Sequence, residues 1–208
     1  MNQENKAWNE RFRTLISLTF GILIGIALLF STSIWETQPI VEESLMCLAC
    51  FFAGIGAFGR IWCSLYIAGY KNNTLVTAGP YSLCRNPLYL FSFIGGAGVS
   101  LATETFTIPL VVILAFILYY PFVIKKEEKR LEGFFGDKYA QYRQTTPSFI
   151  PSLKSFKAMK EPETYSVNPR IFSHNIFDAL WFIWLIGIFE LLGGLKEAGI
   201  LPILFQLY

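Results

Sequence analysis

The sequence predicts an all-α fold, a polytopic bundle of about five membrane-spanning helices. Of the 208 residues, 53% are hydrophobic and only 15% are charged, and the mean hydropathy is +0.45. The apolar residues fall in blocks of roughly twenty rather than in the alternating runs of a barrel. A helix satisfies its own backbone polar groups in lipid. The net charge of +2 gives no support to a nucleic-acid partner.

Five apolar blocks are the predicted spans. The first covers 22 residues, about 33 Å at helical rise, and we expect it to be a retained anchor rather than a signal peptide. Only the residues TET separate the third block from the fourth, so these two predict an antiparallel hairpin. We expect one domain over residues 1–208, with an additional C-terminal helix. The spans are residues 14–35, 44–68, 87–102, 106–124 and 176–195.

The basic residues predict the orientation of the chain in the membrane. Segments 1–13, 69–86 and 125–175 fall on one face and hold 15 of the 17 Lys and Arg residues. The positive-inside rule assigns that face, with the N terminus, to the cytoplasm. The membrane would be the inner or plasma membrane of a prokaryote or the endoplasmic reticulum of a eukaryote.

The cysteines predict no metal site. Cys47, Cys50, Cys63 and Cys84 lie in or beside apolar blocks, and the chain has a single histidine, His174. We interpret the C-x-x-C at 47 and 50 as packing within a membrane helix.

Two polar motifs flank the predicted hairpin. In LVTAGPYSLCRNPLYL, Asn86 is placed to cap the third span, and Tyr81, Arg85 and Tyr89 recur at four-residue spacing. In KKEEKRLEGFFGDKYAQY the charges could simply line a solvated helix face, and Arg85 could simply pair with phospholipid. The hairpin nevertheless brings the two glutamates of that motif into the neighbourhood of Arg85.

The combined pattern, LVT-x-GPY-x-x-x-RNPLY followed by EE-x-x-L-x-x-x-FG-x-x-Y-x-x-Y and TP-x-FIP, covers about residues 60–151. It resembles the isoprenylcysteine carboxyl methyltransferase family and its phospholipid methyltransferase relatives. The resemblance implies S-adenosylmethionine bound in a cytoplasmic-facing pocket. The implied cofactor contacts are Tyr66, Asn73, Thr74, Leu75, Val76, Tyr81, Asn86, Pro87, Leu88, Tyr89 and Glu127.

The ligand suggests a role for some of these residues. The ring of Tyr81 or Tyr89 suits the sulfonium cation, Glu127 suits the α-amino group, and Arg85 suits the carboxylate. Asn73 and Asn86 stand where eukaryotic members of the family have histidine. Val123 replaces the arginine that those enzymes use near the substrate, and Arg60 is our choice to supply the missing charge.

The predicted function is methyl transfer to a lipophilic substrate, either the carboxylate of an isoprenylcysteine-like compound or another small lipid. No catalytic base is assigned, and the partners are this substrate and membrane lipids. Two alternatives stay open: an NADPH-dependent membrane reductase of the sterol-reductase type, and a non-enzymatic lipid-binding membrane protein.

Overall fold

The computed structural model describes residues 18–19, 21–68, 70, 74–157, 159 and 161–208. The principal helices are α1 (Gly21–Phe30), α2 (Pro39–Ile67), α4 (Pro87–Leu101), α5 (Thr107–Phe135) and α8 (Pro169–Glu197). Short helices and strands connect them: β1 (Ser31–Ser33), α3 (Pro80–Leu83), α6 (Asp137–Thr145), α7 (Leu153–Lys157) and β2 (Phe205–Leu207).

The membrane character of the fold is confirmed, but a count of five spans is not. Three helices, α2, α5 and α8, are long and apolar enough to cross a bilayer, whereas α1 and α4 are shorter apolar helices. With 15 residues, α4 extends about 22 Å, less than the roughly 30 Å of hydrocarbon. Residues 14–17 and 20 of the predicted first span lie outside the described residues.

The first predicted span also ends earlier than expected. The sequence predicts helix as far as residue 35, but β1 begins at Ser31 and pairs in parallel with β2, with Ser31 opposite Phe205. Lys196 explains part of this arrangement, because its Nζ donates to the carbonyls of Leu28 and Ser31, both at 2.6 Å. The C-terminal segment thus satisfies backbone groups at the end of α1.

Close backbone contact fixes α4 against α2. A Cβ atom added to Gly56 of α2 would collide with the backbone of Gly95, and one added to Gly98 would lie 2.5 Å from the amide nitrogen of Ala53. Only glycine permits these approaches, so α4 is held deep in the bundle, against α2 on one side, with α5 and α8 beside it.

The helix α5 continues well beyond the apolar block and carries both glutamates of the second motif. It ends at Phe135, and the next residue, Gly136, has a φ of 51°, a left-handed conformation suited to glycine. The chain then turns into α6 and the segment 146–150, which returns to the first turn of α4. This return path assembles the polar site.

Candidate functional site

Arg85, immediately before α4, forms the centre of a polar cluster with Glu128 of α5. Its Nε and Nη2 donate to the two carboxylate oxygens at 3.0 and 3.1 Å, a two-pronged ion pair. The exposed fractions of the two side chains are only 9% and 17%. Nη1 donates to the carbonyls of Thr146 at 2.6 Å and Arg143 at 3.2 Å. All three guanidinium nitrogens of Arg85 are therefore engaged.

Asn86 and Ser148 complete the cluster. The Asn86 amide donates to Glu128 at 2.9 Å and to the Ser148 carbonyl at 3.0 Å, and the Ser148 hydroxyl donates to Glu128 at 2.9 Å. The backbone N–H of Arg85 donates to the Pro147 carbonyl at 2.8 Å. Asn86 occupies the N-cap position of α4, but its side chain makes no capping hydrogen bond. We call Arg85, Asn86, Glu128 and Ser148 the polar clamp.

The acid opposite Arg85 is Glu128, not Glu127. Glu127 pairs instead with Arg130 on its own helix, at 2.6 Å, and its side chain is 31% exposed. Consecutive residues on a helix point about 100° apart, so only one of the two glutamates can face Arg85. The expected proximity of Arg85 to Glu127 is corrected accordingly, and the role of Glu127 in binding a cofactor stays a prediction.

Burial and charge set the protonation of the groups around the clamp. Burial opposes the charge of Arg85, but the hydrogen bonds and charge of Glu128 outweigh it and raise the pKa of the guanidinium. Burial raises the pKa of the Cys84 thiol to about 11, so the thiol is neutral at physiological pH. Burial and the charge of Glu128 raise the pKa of Tyr139 to about 12. The Tyr139 hydroxyl is buried and has no hydrogen-bond partner among the described residues.

The predicted cofactor loop lies over the end of α2. Tyr66 is buried there, and its ring fills the space where a side chain at Gly79 would stand. Gly79 has a φ of 57°, so both its conformation and its surroundings require glycine. Within the loop Thr74 is exposed, whereas Leu75 and Val76 are half-buried. Asn73 lies outside the described residues.

The remaining predicted contacts belong to α3 and the first turn of α4. Tyr81 is half-buried, and its carbonyl accepts a hydrogen bond from the Tyr142 hydroxyl at 2.5 Å. Pro87 is buried and Leu88 is half-buried. The Tyr89 ring meets Tyr120 edge to face, 5.5 Å between ring centres.

Arg60 lies within the apolar helix α2. Its Nη1 donates to the Ser92 hydroxyl at 2.5 Å, and its guanidinium carbon lies 5.9 Å from the centre of the Phe182 ring. Its Nε is buried without a hydrogen-bond partner, and Arg60 makes no ion pair with any described residue. Arg60 is therefore a cation within an apolar helix that keeps one donor unused.

The four cysteines are free, with Cys47 and Cys50 exposed and Cys63 and Cys84 buried. In the described part of the chain, no group of three or more His, Cys, Asp or Glu side chains is arranged to hold a metal ion.

Comparison with known proteins identifies the family. Residues 44–138 match the phospholipid methyltransferase family. The chain is 39% identical over 175 residues to the cobalt-zinc-cadmium resistance protein CzcN of Cupriavidus metallidurans, covering 84% of this chain and 79% of that protein. It is 38% identical over 83 residues to the protein-S-isoprenylcysteine O-methyltransferase of Schizosaccharomyces pombe, covering 40% of this chain and 35% of that enzyme. The chain belongs to the isoprenylcysteine carboxyl methyltransferase and phospholipid methyltransferase family.

The family resemblance predicted from the motifs is thereby confirmed. The chain is also 37% identical over 161 residues to the nickel-cobalt-cadmium resistance protein NccN of Alcaligenes xylosoxydans xylosoxydans, covering 77% of this chain and 73% of that protein. No solved structure matches the chain. The family match contains Arg85, Asn86 and both glutamates, and it ends before Tyr139 and Ser148.

The motifs alone predicted no individual role for Glu128, the second glutamate of EE-x-x-L, or for Ser148, the variable position of TP-x-FIP. The TP-x-FIP motif was the available signal for Ser148, because its two prolines mark a turn at which the chain can change direction. Its contact with Glu128 depends on the path of residues 136–148 and is visible only in three dimensions.

Proposed function

We propose that this protein transfers a methyl group from S-adenosylmethionine to a lipophilic acceptor at the basic, cytoplasmic face of a membrane. One observation carries the proposal beyond family membership: the polar clamp gathers the three motif segments at one end of the helices. Arg85 and Asn86 come from the first segment, Glu128 from the second and Ser148 from the third. Motifs far apart in sequence thus meet in one polar cluster.

The residues around the clamp suit the cofactor. Glu127 is partly exposed and carries only a surface ion pair, so its carboxylate can be recruited by an α-amino group. The half-buried rings of Tyr81 and Tyr89 suit a sulfonium cation, an interaction of about 0.5–2 kcal/mol. Backbone and side chains of the other predicted residues would form the remaining contacts: Tyr66, Asn73, Thr74, Leu75, Val76, Asn86, Pro87 and Leu88.

The role proposed for Arg85 differs from the one that its charge alone suggests, which is to bind the cofactor carboxylate. Its donors already bind Glu128 and two carbonyls, so contact with a cofactor carboxylate would require it to release a hydrogen bond. The bond to the Arg143 carbonyl, at 3.2 Å, is the longest of these. We propose that Arg85 chiefly holds the site together and offers Nη1 to the ligand.

Arg60 is proposed to bind the acceptor. Its unpartnered Nε and its position within a membrane helix favour an anionic group on a lipophilic molecule. The carboxylate of an isoprenylcysteine-like compound or of another small lipid fits that description. S-adenosylmethionine supplies an already activated methyl group, so the chain needs to position the two reactants and exclude water, and no catalytic base is assigned.

Calorimetry on the detergent-purified protein tests the cofactor. We expect binding of S-adenosylhomocysteine that weakens severalfold in Tyr89→Ala and Glu127→Gln but not in Tyr142→Phe, which keeps the ring and removes only the hydroxyl bonded to Tyr81. Binding of NADPH in place of S-adenosylhomocysteine would overturn the proposal in favour of a reductase. Binding of neither would leave a non-enzymatic lipid-binding protein.

The acceptor is tested separately. Lipid extracts incubated with the protein and methyl-labelled cofactor should yield, by mass spectrometry, a labelled methyl ester formed from an acidic lipid. Arg60→Met should abolish this product while leaving S-adenosylhomocysteine affinity unchanged, and Arg170→Met, at an exposed arginine of α8, should form it normally. Equal product from Arg60→Met and the unmodified protein would exclude Arg60 from acceptor binding.

A further inference from the structure

The segment after Ser148 has an unusual combination of membrane contact and exposure. The Phe149 ring packs between the two helices of the hairpin, 6.4 Å from Phe93 of α4 and 5.9 Å from Phe116 of α5. The next residue, Ile150, is 76% exposed. The chain therefore passes from a packed residue, Phe149, directly to an exposed one, because other residues cover little of the Ile150 side chain.

The short helix α7 continues this exposed surface. Leu153 is 84% exposed and Phe156 is 57% exposed, and their three-residue spacing places them on one face of the helix. Ser155 is buried, and its backbone N–H donates to the Ser152 hydroxyl oxygen at 3.1 Å. The orientation of α7 is thus held by Ser152 and Ser155, with its large apolar side chains directed outward.

Lysines border the apolar side chains. Lys154 and Lys157 are both exposed, and residues 149–160 contain no acidic residue. A surface of large apolar side chains bordered by lysines is the pattern of a segment that lies in the headgroup region of a bilayer, with ammonium groups near anionic lipid. Contact of Phe149 with the hairpin places this surface next to the membrane rather than away from it.

We propose that Ile150, Leu153 and Phe156, together with Lys154 and Lys157, dock into the anionic lipid of the leaflet at the basic face. We call these five residues the interfacial patch. Because the patch follows Ser148 directly, its docking holds the third segment of the polar clamp against the other two. This inference rests on the membrane placement of the hairpin and does not depend on methyl transfer.

The test is amide hydrogen exchange of the full chain in lipid nanodiscs made with phosphatidylcholine alone or with added phosphatidylglycerol. We expect residues 150–157 to exchange more slowly in the anionic discs. Each lysine near an anionic surface changes the equilibrium for docking by about five- to sixfold, so two lysines together give roughly thirtyfold. Lys154→Glu/Lys157→Glu should remove this difference between the two lipids.

Two further variants keep the test decisive. Lys129→Glu/Lys138→Glu makes the same charge change at exposed lysines of α5 and α6 and should leave exchange of the patch unaltered. Leu153→Ser/Phe156→Ser should give fast exchange in both lipids, with amides of α4 still protected as proof of folding. Equal exchange of the patch in the two lipids, or the same loss in the control variant, would overturn the proposal.

Discussion

The polar clamp makes a quantitative prediction through Glu128. Its carboxylate accepts four hydrogen bonds, two from Arg85, one from Asn86 and one from Ser148, all between 2.9 and 3.1 Å. Glu128→Gln removes the negative charge and replaces one acceptor oxygen with an NH₂ group. That group cannot accept hydrogen bonds from the donors that surround it. A largely buried guanidinium then has no counter-charge, a change that typically costs about 3–5 kcal/mol in a buried pair. Because the pair retains some solvent contact, we expect about 3 kcal/mol.

Thermal unfolding in detergent micelles measures this loss. For a chain of this size, 3 kcal/mol corresponds to a fall in Tm of about 10 °C. The matched control is Glu127→Gln on the same helix, whose surface ion pair with Arg130 is worth at most about 1 kcal/mol. Equal shifts in Tm for the two variants would refute the assignment of Glu128 as the clamp residue.

A double substitution separates the ion pair from simple packing. Adding Arg85→Met to Glu128→Gln removes the uncompensated charge, so the double variant should be more stable than the sum of the two single losses predicts. Additive losses would show that the two side chains contribute independently, contrary to the 3.0 Å contact between them.

Two other predictions concern packing and pH. Gly56→Ala should destabilise by about 1–3 kcal/mol because the new methyl group meets the Gly95 backbone, whereas Gly54→Ala on the same helix meets nothing within 4 Å and should be neutral in Tm measurements. Burial, and then the charge of Glu42, raise the pKa of Glu104 from 4.5 to about 7. The folded state therefore binds this proton more tightly, so stability should fall as pH rises from 4.5 to 7, and Glu104→Gln should flatten that part of the Tm profile. If the Tm of Glu104→Gln changed with pH between 4.5 and 7 as steeply as that of the unmodified protein, this assignment would be contradicted.

The sequence alone determined the environment and the family of this protein. Apolar blocks of helical length require a bilayer, because no soluble core of this size would bury them, and the three-residue link TET requires α4 and α5 to be neighbours. The hairpin brings Arg85 to Glu128 of α5, whereas Glu127 pairs with Arg130 on its own helix. The predicted bounds of α4, residues 87–102, agree with the observed helix, but its 15 residues are too few for the full span that the sequence predicted.

Only the tertiary structure decided which glutamate pairs with Arg85 and which segment pairs with β1. Glu127 and Glu128 are equivalent in the motif, and the choice between them depends on the rotation of α5 about its axis, which packing against α4 fixes. The pairing of Ser31–Ser33 with Phe205–Leu207 joins chain segments more than 170 residues apart. Local patterns report what a segment needs to bury, whereas the partner it meets depends on the path of the whole chain.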